Sequence, residues 1–123
     1  MAKKVLIIED DKSLARLIES ALTVEGFEPL LATDSDEGLD KAIMQKPDLI
    51  LLDILLPSKS GFDCLRELKK NSKSSAVPVI ILSNLGQDEE VRLGLTLGAV
   101  DYLVKADFSI DEVMRKIKKI VAA

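Results

Sequence analysis

Val5-Leu6-Ile7-Ile8-Glu9-Asp10-Asp11 decides the fold: four aliphatic residues run straight into three acids. A strand with one wet face alternates apolar and polar positions, so an unbroken aliphatic run marks a strand covered on both faces. Outward from it, similar runs recur at Leu49-Ile50-Leu51-Leu52, at Val77 to Leu82 and, more loosely, at Val100 to Val104. Phe27 to Ala32 is a weaker fifth. Stripes of helical period fill the gaps. They are Leu14, Leu17, Ile18, Ala21 and Leu22, stopped by Gly26; Leu39, Ala42 and Ile43, ended by Pro47; and Phe62, Leu65 and Leu68. Val91 and Leu95 follow, with Gly98 beyond them as a C-terminal cap, and then Ile110, Val113, Met114 and Ile117. Ser109 with Glu112 three residues on predicts a capping box for the last helix. Arg115, Lys116, Lys118 and Lys119 put positive charge where its C-terminus favours it.

Strand and helix thus alternate five times, which predicts a doubly wound α/β domain built on a five-stranded parallel sheet, (βα)5. Glu28 and Pro29 in the second strand, and Asp101 and Lys105 around the fifth, belong at sheet edges, whereas the other three strands are nearly all apolar. That fits the flavodoxin-like strand order 2-1-3-4-5, with its switch point between strands 1 and 3. No linker, repeat or low-complexity stretch divides residues 1–123, so a single domain is expected.

Composition removes several classes of function. Of the 123 residues, 47% are hydrophobic and 31% charged, and 17 basic against 21 acidic residues give a net charge of −4. The acidic balance disfavours direct nucleic-acid binding. Aromatics make up 3%, too few for a base-stacking surface. The chain has no histidine and one cysteine, Cys64, which excludes His-dependent triads, His-ligated zinc and all-Cys metal cages. Cys64 reads as a small core filler. No apolar run suits membrane insertion and the start has no signal-peptide layout, so the expected location is cytoplasmic.

In open parallel sheets, ligands sit beyond the carboxyl ends of the strands. There strand 1 delivers Glu9 and Asp10, strand 3 Asp53, strand 4 Ser83 and strand 5 Lys105. Singly each has an ordinary role: an acid at a helix N-terminus, an aspartate in a turn, a structural serine, a solvated lysine. Their meeting at four strand ends is what points to chemistry. Clustered carboxylates repel, and with no His or Cys at hand the cation that relieves them is a hard one, Mg²⁺. A carboxylate beside Mg²⁺ can attack phosphorus, and a lysine and a hydroxyl can neutralise the transferring oxygens.

The chain resembles a response-regulator receiver domain, the CheY-like phosphoacceptor module of two-component signalling and phosphorelays. The likeness runs over essentially the whole length. It rests on Leu6-Ile7-Ile8-Glu9-Asp10-Asp11, Leu51-Leu52-Asp53 with Pro57 and Gly61, Val79 to Ser83, Gly98-Ala99, and Asp101-Tyr102-Leu103-Val104-Lys105. The resemblance implies that Asp53 accepts a phosphoryl group from a phosphohistidine on a sensor histidine kinase or histidine phosphotransfer protein. It implies that Asp10 and Asp53 bind Mg²⁺ directly, Glu9 through water, and the Leu55 carbonyl as a further ligand. Ser83 and Lys105 would contact phosphoryl oxygens, and Tyr102 would be the switch aromatic. Phosphorylation would alter the surface of helix 4, strand 5 and helix 5, changing the binding of a downstream protein target. Such a protein is not a conventional enzyme; it promotes its own phosphoryl transfer and hydrolysis.

Departures from the family pattern are Glu9 for the commoner aspartate, Asn84 after the hydroxyl residue, Ala106 in place of a proline, and apolar Leu55 and Leu85 beside the site. Asn84 would narrow access to Asp53, and Ala106 leaves open the cis or trans form of the loop after Lys105. Leu55 and Leu85 predict slow autodephosphorylation. Other readings stay open: an adaptor that is never phosphorylated, a flavin or nucleotide binder, and a phosphohydrolase. The acidic first loop repels a nucleotide phosphate. Leu55 stands where a hydrolase would carry a second aspartate. Helix 4 has apolar residues on more than one side, either a broad buried face or one partly open to a partner. The sequence leaves open a monomer or a dimer through the helix 4, strand 5 and helix 5 face, and a stand-alone protein or part of a longer regulator.

Overall fold

The aliphatic runs become the centre of one sheet because nothing in them can face water. The computed structural model describes residues 2–122. Its elements are β1 (Lys4–Ile8), α1 (Lys12–Val24), β2 (Glu28–Ala32), α2 (Ser35–Gln45), β3 (Leu49–Leu52) and α3 (Gly61–Lys70). Then come β4 (Val79–Ser83), α4 (Asp88–Thr96), β5 (Asp101–Val104), a 3-10 turn at Lys105–Asp107, and α5 (Ile110–Ile120). The strands pair in parallel in the order β2-β1-β3-β4-β5, the flavodoxin-like arrangement expected. The proline and charges of β2 and β5 do lie at the two edges.

Alternation along each strand splits the core in two. Val5, Ile7, Leu49, Leu51, Ile80 and Leu82 pack with Ile18 and Leu22 of α1 and with Val113, Met114 and Ile117 of α5. Leu6, Ile8, Ile50, Leu52, Val79 and Ile81 face the other way, onto Ala42 of α2 and Cys64, Leu65 and Leu68 of α3. Burying each large aliphatic side chain contributes about 2 kcal/mol. Cys64 is fully buried, and burial pushes its thiol up to about 11, which keeps it protonated and inert at neutral pH.

Caps set the helix ends. Asp11 accepts from the backbone N–H groups of Ser13 and Leu14, and so opens α1. Gly26 and Gly98, at φ of 91° and 112°, close α1 and α4 in the same way. After α1, Gly26 N–H donates to Thr23 and Phe27 N–H to Leu22; after α4, Gly98 N–H donates to Leu95 and Ala99 N–H to Gly94. The expected capping box of Ser109 and Glu112 is formed.

Some of the expected faces and boundaries are corrected. Leu17 is 55% exposed, because the buried stripe of α1 is Ala15, Ile18 and Leu22. Leu95 is 45% exposed and is not on the core side of α4, where Gly94 is buried and Val91, with Leu97 at the C-cap, is partly buried. The second strand begins at Glu28 rather than Phe27, whose N–H is used to cap α1. The fourth begins at Val79, since Val77 N–H turns back to Ser74 and Pro78 has no N–H to give. The fifth begins at Asp101, leaving Val100 exposed just before it.

Candidate functional site

The carboxyl ends of β1, β3 and β4, with the residue that follows β5, bring the expected side chains to one edge. Asp11 and Asp10 part company there: Asp11 turns back to cap α1, and Asp10 stays exposed beside Glu9. Glu9 and Asp53 are 3% and 4% exposed, so two acids are held almost out of water. Carboxylate oxygens of Glu9, Asp10 and Asp53 lie within 4.8 Å of one another.

Lys105 answers that charge. Its Nζ lies 2.8 Å from Glu9 Oε1 and 2.8 Å from Asp53 Oδ2. Burial alone would depress the ammonium, but hydrogen bonds and opposite charge from Asp53 and Glu9 outweigh it and hold Lys105 above its usual value. Glu9 is pushed up to about 7, chiefly by burial; the Lys105 hydrogen bond opposes this and the neighbouring Asp53 charge adds to it. The family resemblance implied Lys105 on the phosphoryl group and Glu9 on a metal-bound water. The direct bridge between them carried no sequence signal, because β1 and β5 are not neighbours in the sheet.

Asp53 also fills a turn role: its Oδ1 accepts from Leu55 N–H at 3.1 Å. The bond fixes one carboxylate oxygen, while Lys105 holds the other. Gly61 fixes the loop behind it. A Cβ there would stand 2.1 Å from the Asp53 carbonyl oxygen, and Gly61 N–H donates to Ile54 at 2.8 Å. Only a residue without a side chain lets α3 start this close to the end of β3.

Ser83 is fully buried at the end of β4, its Oγ accepting from Leu85 N–H at 3.4 Å. Tyr102 is turned inward, and its hydroxyl donates to the Leu85 carbonyl at 2.5 Å. The phenol is pushed up to about 12, first by burial and then by the charges of Glu90 and Asp53. Leu55 is 53% exposed beside Asp53, and Asn84 is exposed at the head of the β4–α4 loop. The chain leaves Lys105 through a 3-10 turn, and no peptide bond among the described residues is cis, Lys105–Ala106 included.

An acidic, cation-bridged edge on a (βα)5 sheet of this order defines a class, and sequence comparison agrees with it. Residues 5–118 match the family model of the response regulator receiver domain, and the chain belongs to that family, a module of two-component signalling. The phosphate regulon transcriptional regulatory protein PhoB of Escherichia coli (strain K12) is 36% identical over 121 residues. That match takes in 98% of this chain but 52% of PhoB, so the chain spans about half the length of this relative. Among solved structures, the Vibrio cholerae chemotaxis protein CheY4 is 26% identical, with a TM-score of 0.91 and coverage of 98% and 100% of the two chains. The receiver domain of the sensor histidine kinase PA1611 from Pseudomonas aeruginosa PAO1 is 27% identical with a TM-score of 0.88, each chain covered in full. It has a magnesium ion coordinated in its active-site cleft. Among the described residues, no helix is long and apolar enough to cross a membrane.

Proposed function

We propose that residues 1–123 act as one phosphorylatable receiver domain whose acceptor is Asp53. The observation that carries this reading is the meeting of Glu9, Asp10 and Asp53 within 4.8 Å under a lysine bonded to two of them. The donor is a phosphohistidine on a sensor histidine kinase or histidine phosphotransfer protein in the cytoplasm. An Asp53 carboxylate oxygen attacks phosphorus. The P–O bond forms as the P–N bond breaks, the electron pair returns to the imidazole nitrogen, and that nitrogen takes a proton. Lys105 moves from bridging two carboxylates to facing a phosphoryl oxygen, and Ser83 offers its hydroxyl to another.

The donor set fits Mg²⁺: three carboxylates gathered at one point, all oxygen, with no cysteine in the cluster among the described residues and no histidine in the chain. Asp10, Asp53 and the Leu55 carbonyl would hold the ion, with Glu9 reaching it through water. Bound there, Mg²⁺ would supply charge neutralisation to the transferring oxygens. The residues that respond are on β4 and β5. Ser83, Leu85 and Tyr102 form a connected path, so a pull on Ser83 reaches the start of α4 and changes the α4–β5–α5 surface offered to a downstream protein.

Intact-mass spectrometry after incubation with acetyl phosphate tests the reading. A gain of one phosphoryl group that requires Mg²⁺ is the expected result. No gain with acetyl phosphate or with a phosphohistidine donor contradicts it.

A second expectation concerns lifetime. Hydrolysis of the acyl phosphate needs a water held in line with the P–O bond, and the neighbours Leu55 and Leu85 have no side-chain group to hold one. The phosphoryl group should therefore survive for minutes or longer, read by the same mass measurement over time. Loss within seconds would contradict this.

A further inference from the structure

Gly94 is buried in the middle of α4, where a glycine is a poor helix former. Its backbone is ordinary helix, and the only glycines at positive φ among the described residues are Gly26 and Gly98. Backbone freedom is therefore not what the position needs. Space is. A Cβ at residue 94 would come 2.8 Å from Cδ2 and 3.1 Å from Cε2 of the Tyr102 ring, and 2.6 Å from Cδ1 of Ile81.

Of those two neighbours, the tyrosine is the one with somewhere to go. Ile81 is fully buried on the interior strand β4 and packed among aliphatic side chains. Tyr102 sits at the rim on edge strand β5, is 8% exposed, and is held inward by one hydrogen bond to the Leu85 carbonyl. Leu85 N–H in turn bonds Ser83 Oγ. We propose that Gly94 is a positioning residue of the switch: its missing side chain admits the Tyr102 ring beneath α4 and thereby holds the Ser83 loop closed toward Asp53. The link from Ser83 to phosphoryl transfer rests on the function proposed above, but the position of the ring does not.

The test exploits composition. Tyr102 is the only tyrosine and the chain has no tryptophan, so near-ultraviolet absorption to the red of the phenylalanine bands, and tyrosine emission, report on this ring alone. The variants are Gly94→Ala and Gly94→Ala with Ile81→Val. The second removes the Cδ1 atom and leaves the ring as the remaining close contact. Circular dichroism checks that each folds. In both, acrylamide should quench the tyrosine emission several-fold more strongly. The phenol should titrate closer to its ordinary value of 10.0 than to the value near 12 that burial, with Glu90 and Asp53 facing it, gives the parent. Phosphoryl uptake from acetyl phosphate should slow, and the slowing should vanish when the change is made in a Tyr102→Ala background. Unchanged quenching and titration in the folded variants would overturn the proposal, as would failure of both variants to fold. If the ring moves while uptake stays at the parent rate, the steric role stands, and its link to phosphoryl transfer is overturned.

Discussion

Gly61→Ala is expected to lower the unfolding free energy by about 3 kcal/mol, the upper part of the usual range for overpacking. The added methyl would lie 2.1 Å from the Asp53 carbonyl oxygen and 2.6 Å from Ile54 Cα. Both are backbone atoms, so no rotamer change relieves the contact. Either α3 backs away and loses the Gly61 to Ile54 hydrogen bond, or the end of β3 shifts and takes Asp53 with it. A loss this large is a sizeable share of a small domain's total stability. Urea denaturation measures it, and phosphoryl uptake should fall with it. A loss below about 1 kcal/mol with unchanged uptake would show that the loop is not pinned as described.

Lys105→Met should be comparably costly for a different reason. Methionine keeps much of the apolar stem and removes the charge. Glu9 and Asp53 would then face each other nearly out of water, with the cation that bridges them gone. Removing one partner of a buried charge pair costs about 3–5 kcal/mol. The lower end is expected here, because Glu9 is already pushed up to about 7 and accepts a proton with little penalty. Mg²⁺ should restore more stability to this variant than to the parent, since it meets the same unpaired charge. Thermal unfolding with and without Mg²⁺ reads both effects. Equal stabilisation of the two proteins would contradict the bridging role of Lys105.

The parts of the fold that the sequence made legible are those where physics acts locally. Ile7, Leu51 and Ile80 sit in runs that can only be doubly covered strands, and Pro29 and Asp101 mark edges because a proline or a charge is badly placed in a sheet centre. The acidic edge was legible for the same reason: the residues that follow a strand, here Glu9, Asp10 and Asp53, are placed once the strand is. Helix faces were less so. Leu17 and Leu95 fit an apolar period, but the period does not say which side meets the sheet, and Ala15 and Gly94 took those places. Least legible were contacts between distant segments. Gly61 against the Asp53 backbone, Gly94 against the Tyr102 ring and Lys105 against Glu9 depend on how elements dock, which one sequence does not encode locally.

The central claim is that Asp53 is the acceptor, and chemical trapping tests it at single-residue resolution. Borohydride reduces an aspartyl phosphate to homoserine, and peptide mapping then reports its position. The protein treated with acetyl phosphate and Mg²⁺ should carry homoserine at position 53 alone, and Asp53→Asn should carry none. Homoserine at Asp10 or at any other carboxylate, or persistent labelling of the Asp53→Asn protein, would contradict the account.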